Sequence, residues 1–446
     1  MITIFKSAYF PIGVGTYHLE TAQAEFEKSV KMLKSIDENI TVPDEMLLSV
    51  DRLIEYINGV EADLAIVQNI TFANAAYVSE ILRRLSCPVV LWTLREPKAD
   101  GTRLRLNSLT GAFSAANTLK AFQRPFEYVL GAPEEKKTKN LISAAVSAAK
   151  VKKAMRSLNL LQVGHTPQGF GFGRALDSEM LRIFGVNTVS IEARELIEQA
   201  KAFTDDDIAP YLADAKKRIC GLDGINGKNV SDFARLYKAY DEYVKANNIG
   251  ALASRCWPDF FTSFGTPVCS VLGILNDLGV ASACEADSYG ALSMYICSYL
   301  TGKSVFFGDP VAVDEDENTV TFWHCGMAPC SLAREDTGAC AGVHCNRKIG
   351  PTLEFGCKEQ DEVTVFRIGR KPDGTFRFFI AGGSAPDKGK QYYGTSLVVK
   401  TANSAPEIIN SAVKNGWEPH FAVAMGNISK TLEILAEMLG IEVCKF

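Results

Sequence analysis

"SVFFGDPVAVDEDENTVTFWHC", residues 304–325, is where this chain changes character. Its β-branched and aromatic residues are interrupted only by turn residues. "EVTVFRIGR" (362–370) and "TFRFFIAGG" (375–383) repeat the texture, so the stretch from 302 to 446 predicts an antiparallel sheet or barrel, closed by a final helix. That helix is expected after Asn427, a good N-cap, with Ile428, Leu432, Leu435 and Leu439 on one face and Gly440 as its stop.

Upstream of 302 the pattern is different. Apolar runs such as "MITIFKSAYF" (1–10), "ADLAIVQNI" (62–70) and "CPVVLWTL" (87–94) alternate with amphipathic stretches such as "LETAQAEFEKSVKMLKSI" (19–36) and "AAYVSEILRRL" (75–85). This order predicts a parallel sheet covered by helices. An Ala- and Lys-rich helix (134–158) closes that domain near residue 155, and "LNLLQVGHTPQGFGFGRAL" (158–176) opens a second one. "VNTVSIEA" (186–193), "IGALASRCW" (249–257) and "GVASACEA" (279–286) are its further strands. The expected fold is therefore α/β: two Rossmann-like parallel-sheet domains, 1–155 and 156–301, followed by a β-rich, barrel-like domain, 302–446.

The composition of the 446 residues, 47% hydrophobic and 22% charged with a net charge of −5, is that of a globular protein without a polyanion-binding bias, which argues against nucleic acid. No apolar run approaches the ~20 residues of a membrane helix, and the N-terminus lacks the zones of a signal peptide. Twelve cysteines in such a chain read as reduced, mostly buried thiols, and the expected compartment is the cytoplasm.

Several residues fall where sites assemble, at strand ends and loop entries. Glu285 and Asp287 follow "GVASAC", Asp309 ends "SVFFGD", His324 ends "TVTFWH" and His420 precedes "FAVAMGN". Two carboxylates with imidazole suit Mn²⁺ or a related divalent ion. Acids before a helix also complement its dipole, so Glu285 and Asp287 have that plainer explanation too. Cys325, Cys330, Cys340 and Cys345, separated by four, nine and four residues, offer a rival zinc set, with spacing wider than zinc pairs usually show. "GHTPQGFGFGRA" (164–175), followed by Glu192 at the end of the next strand, offers a dinucleotide loop, but its glycines miss the fingerprint spacing.

Taken in order, "SRCWPDFF" (254–261), "CEADSYGALSMYICSYLTGK" (284–303), "FFGDP" (306–310), "TVTFWHCGMAPCSLA" (319–333), "GVHCNRKIGPTLEFGCK" (342–358) and "HFAVAMGNISKTLEILAEMLGIEV" (420–443) resemble the L-fucose isomerase and L-arabinose isomerase superfamily. The resemblance covers 156–446 and, more loosely, the first domain. It implies a metal-dependent aldose–ketose isomerase working through an enediol, with Mn²⁺ or another divalent metal held by Glu285, Asp309 and His420. His324 matches a further metal ligand of the arabinose branch that the fucose branch lacks. Glu285 and Asp309 are the implied proton-moving acids. Trp257, His344, and from the first domain His18, Trp92 and Arg95, are the implied substrate contacts. The last three would act across a subunit boundary in a homo-oligomer, a hexamer or another trimer- or dimer-based assembly. L-fucose, D-arabinose and L-arabinose are family substrates. The sulfosugar sulfoquinovose, isomerised to its sulfofructose, is raised by compact relatives and would need a cationic anchor, for which Arg95, Lys98, Arg255 and Arg347 qualify by charge. An NAD-dependent oxidoreductase and a non-catalytic sugar-binding protein are the alternatives.

Overall fold

A computed structural model describes residues 4–446. The chain forms two compact units, Met1–Ala154 with Lys430–Ile441, and Met155–Ser429 with Glu442–Phe446. In the first, strands β1 (Ser7–Ile12), β2 (Leu64–Asn69), β3 (Val89–Thr93) and β4 (Phe126–Leu130) pair in parallel in sequence order. The run expected from residue 1 is a strand from Ser7; its first three residues lie outside the described ones. Phe10, Ile12, Val67 and Leu91 bury against Leu53, Tyr77, Ile81 and Leu119 of covering helices. Near-continuous apolar strands are what a parallel sheet covered on its faces requires.

The second unit opens with another parallel sheet. Its strands are β5 (Asn159–Val163), β6 (Asn187–Ile191), β7 (Ile249–Ser254) and β8 (Ala281–Cys284), in the order β6-β5-β7-β8. The change of texture at 302 marks a change of sheet type. Strands β9 (Phe306–Asp314), β10 (Thr319–His324), β11 (Cys340–Gly342), β12 (Thr352–Gly356), β13 (Gln360–Arg370), β14 (Phe376–Ala385), β15 (Thr395–Thr401), β16 (Phe421–Ala424) and β17 (Glu442–Lys445) follow. Six of them run β15-β10-β9-β16-β13-β14, every pair antiparallel, and pairing of Gly383 and Ser384 with Thr401 and Lys400 closes the ring. Closure removes the exposed strand edges that an open sheet of this length would leave. β12 and β17 add parallel strands to its flanks.

The last helix, Ser429–Leu439, starts behind Asn427, whose Oδ1 accepts from Ser429 N–H at 3.4 Å, and ends before Gly440 at φ +68°. Among the described residues no helix is long and apolar enough to cross a membrane. The thiols depart from expectation at one place: Cys220 and Cys340 form a disulfide, and the other ten are free. With Cys340 committed to Cys220, the zinc set of four cysteines does not exist.

Candidate metal and substrate site

The carboxyl end of a parallel sheet is where α/β proteins bind ligands, and β8 ends there in an unusual turn. Glu285 and Ala286 have φ of +59° and +55°, two consecutive non-glycine residues in the left-handed region. Each costs ~1–2 kcal/mol, and such strain persists where the surroundings over-determine it, commonly at functional sites. The turn aims Glu285 away from the sheet and hands Asp287 to the next helix, Ser288–Thr301, where Asp287 is the N-cap and accepts from Gly290 N–H at 2.8 Å. The plain helix-start role thus belongs to Asp287 and not to Glu285.

Asp287 does more than cap. It is buried, accepts two hydrogen bonds from the buried Arg367 guanidinium (2.5 and 3.1 Å), and lies 2.9 Å from His420 Nδ1. A carboxylate on Nδ1 fixes the ring so that Nε2 presents its lone pair, the arrangement that orients metal-ligating histidines. His420 Nε2 lies 3.0 Å from Glu285 Oε2 and 3.5 Å from Asp309 Oδ1. Glu285 also accepts from the Trp257 indole N–H at 3.0 Å. Asp309 is positioned by β9, where an irregularity of register against β10 falls at Thr321/Phe322 and leaves Pro310 opposite Phe322 and Asp309 opposite Trp323. Such bulges re-aim side chains beside active sites.

His324, at the end of β10, is buried, and its ring centroid lies 5.9 Å from that of His420. Its Nδ1 accepts from Cys325 N–H at 2.9 Å, which puts the neutral ring's proton on Nε2, an atom buried without a partner. Ligand atoms of Glu285, His324 and His420 lie within 4.8 Å of one another. Three carboxylates, Glu285, Asp287 and Asp309, surround His420, and of these only Asp287 is paired with a guanidinium, that of Arg367, so the pocket is rich in negative charge. The local field shows it. Burial alone would lower the His420 pKa, yet Asp287, Glu285 and Asp309 raise it to about 10. Burial pushes the Asp309 carboxyl up, and burial pushes His324 down. On Glu285, burial is outweighed by His420 and His324, and its carboxyl is lowered. An oxygen-rich donor set with surplus negative charge, joined by His420 Nε2, fits a divalent cation.

The glycine-rich loop that suggested a dinucleotide serves this site. Phe170 and Phe172 pack on the His420 ring at centroid distances of 6.4 and 5.3 Å, and a Cβ on Gly173 would lie 2.8 Å from Asp287 Cα. Glu192, at the end of the next strand, is the N-cap of the helix Ala193–Ala202. Gly173→Ala should therefore cost about 1–3 kcal/mol by overpacking and lower turnover with it, because the backbone it displaces carries Asp287. Melting temperature and kcat measured together test this; a variant unchanged in both would show that the contact relaxes freely.

A cavity of about 380 Å³ lies over Glu285, lined also by Trp257, His324, His344 and Arg347. Trp257 and His344 are thus placed together with the acids. The first-domain residues are elsewhere. Trp92 is 0% exposed inside the first unit, its indole N–H bound to Gly131 O at 2.8 Å, so it has no surface to offer a substrate, which corrects that expectation. Arg95 is exposed and paired with Glu135, and His18 caps the helix Leu19–Ile36. Asp287 and Arg367 were missed as site residues. The signal for Arg367 was an arginine inside the apolar run "EVTVFRIGR"; nothing local distinguished Asp287 from an ordinary cap.

Residues 334–446 match the family described as L-fucose isomerase, C-terminal domain. Over its whole length the chain is similar to proteins named sulfoquinovose isomerase. It is 58% identical to one from Clostridium sp. (strain MSTE9), covering 98% of both chains. It is 36% identical to one from Priestia aryabhattai, covering 97% of each, and 33% identical to one from Alkalicoccus urumqiensis, covering 99% of each.

Proposed function

We propose a reaction on one premise: the chain belongs to the L-fucose isomerase-like superfamily, among the sulfoquinovose isomerases, and is a sugar aldose–ketose isomerase. That membership replaces the alternatives of a sugar-binding protein and a nicotinamide enzyme. The substrate we assign is sulfoquinovose, converted to 6-deoxy-6-sulfofructose in the cytoplasm, with a divalent metal, Mn²⁺, as cofactor. The observation that carries the reading is the convergence of Glu285, just after β8, Asp309, within β9, and His420, just before β16, on one point beside a cavity.

Glu285, Asp309 and His420 would hold the metal, which when bound supplies Lewis-acid stabilisation to adjacent sugar oxygens. Asp309 is the better base of the two acids. Its burial raises its proton affinity, whereas Glu285 is held ionised by His420 and by the Trp257 N–H. Environments that push two carboxylates apart in this way assign their roles. Asp309 takes the proton from C2 of the open-chain aldose and returns it to C1, through an enediol. His324, with its proton on Nε2, donates a hydrogen bond to a sugar oxygen rather than ligating. Asp287 and Arg367 keep His420 in the tautomer that presents Nε2. The rings of Phe170, Phe172 and Phe307 wall His420 off from water, which strengthens each charge interaction inside.

Assembly belongs to the same reading. The helix Ser108–Ala121 leaves Leu109 and Phe113 exposed one turn apart, 46% and 72%, an apolar face that a second copy would cover in a homo-oligomer.

Chelator-treated protein, reloaded with Mn²⁺ and offered sulfoquinovose, L-fucose, D-arabinose and L-arabinose, tests the reaction by NMR of the product. Ketose should form from sulfoquinovose only with metal present and without added nicotinamide. Full activity after rigorous metal removal, or turnover of the neutral sugars alone, would overturn the assignment.

A further inference from the structure

The loop between β11 and β12, "VHCNRKIG" (343–350), carries the one cation of the cavity with no acid to answer it. The other basic groups nearby are committed: Arg255 to Asp259 at 2.6 Å, and Lys390, in an adjoining hollow, to Glu354. Among the described residues Arg347 has no ion-pair partner; its guanidinium instead lies 5.6 Å from the Trp257 ring and 5.5 Å from the Phe261 ring. The loop is held in shape. His344 Nδ1 accepts from the N–H groups of Asn346 and Arg347, each at 3.3 Å. Lys348 N–H bonds His344 O at 2.8 Å, and His344 N–H bonds Ile349 O at 2.9 Å. His344 is therefore spent on folding the loop that carries Arg347.

We propose that Arg347 is the anchor for the sulfonate group at C6 of the substrate, and that Trp257 sets its distance from the reacting end. Trp257 touches both ends of the site. Its indole N–H holds Glu285, and its ring face lies beneath the Arg347 guanidinium. One indole thus separates the acid from the cation. A planar guanidinium offers paired donors to two oxygens of a sulfonate, as it does to carboxylate and phosphate, and stacking on aromatic rings orients the fork without neutralising it. This inference rests on the sulfosugar reading above and names the residue that would make that reading specific.

Steady-state kinetics on Mn²⁺-loaded wild type, Arg347→Ala and Arg347→Lys, with sulfoquinovose and with D-quinovose, its analogue without the sulfonate, separate the two. The expected result is a rise of about 10–100-fold in KM for sulfoquinovose in Arg347→Ala, a smaller rise in Arg347→Lys, and unchanged handling of D-quinovose. Mn²⁺ affinity and melting temperature should not move. Wild-type KM for sulfoquinovose in Arg347→Ala, or an equal loss on both sugars, would overturn the anchor. A wild type that isomerises D-quinovose but not sulfoquinovose would instead overturn the sulfosugar reading, and the anchor with it.

Discussion

Glu285→Gln lowers turnover by at least ~10²-fold, no less than the cost of losing an outer partner of a metal ligand, because a charged ligand is taken from the metal, and leaves the fold standing. The substitution keeps the side-chain shape and the bond from Trp257, but removes the charge that faces His420 Nε2 at 3.0 Å. Were Glu285 only an acid near a helix start, its loss would cost ~0.3–1 kcal/mol and leave turnover nearly intact. The backbone already argues against that, because Asp287 holds the cap position. Asp309→Asn should match Glu285→Gln in turnover, and its own loss should abolish solvent exchange as well. Isomerisation in D₂O by the wild type places deuterium at C1 of the ketose, and at C2 of aldose re-formed by the reverse reaction, if the proton passes through an enediol; a hydride shift places none. Near-normal turnover in both variants would return the two acids to structural roles.

Asp287→Ala is expected to destabilise the protein by ~3–5 kcal/mol, the cost of leaving a buried charge without its partner. Arg367 is fully enclosed, and Asp287 is its one ion-pair partner among the described residues. The same change removes the cap of the helix Ser288–Thr301, worth about 1 kcal/mol, and frees His420 to adopt either tautomer. Metal affinity should fall 10–100-fold, as when an outer carboxylate is taken from a ligating histidine. Asp287→Asn keeps the cap and should lose less stability while still weakening metal binding. Urea denaturation and Mn²⁺ titration give the two readouts; a midpoint within error of wild type in Asp287→Ala would refute the buried-pair account. The pH dependence has a definite sign. Burial alone would raise the Asp287 carboxyl, but Arg367 and His420 hold it well below the usual carboxylate range. Its contribution is therefore complete above the unfolded-state carboxyl pKa and disappears only as pH falls toward the depressed folded value.

Local pattern alone determined a good deal here. The alternation of apolar runs and amphipathic helices predicted parallel sheets, and the change of texture at 302 marked the start of the antiparallel strands. The ends of those runs placed Glu285, Asp309, His324 and His420 where side chains can converge. These readings succeed because backbone period, turn chemistry and capping act within a few residues. The tertiary structure decided what lies far apart in the chain. Closure of the ring depends on Gly383 and Ser384 meeting Thr401 and Lys400. The choice of Asp287, not Glu285, as the cap depends on the left-handed turn at the end of β8. The use of "GFGFG" as a cover for His420, and of Asp287 as the partner of Arg367, eighty residues away, depends on which surfaces pack together. Trp92 shows the same limit from the other side: an aromatic residue at a strand end looks alike in sequence whether it faces a pocket or a core. Burial and the pairing of buried charges are properties of the assembled chain, because desolvation is set by every neighbour at once and not by those adjacent in sequence.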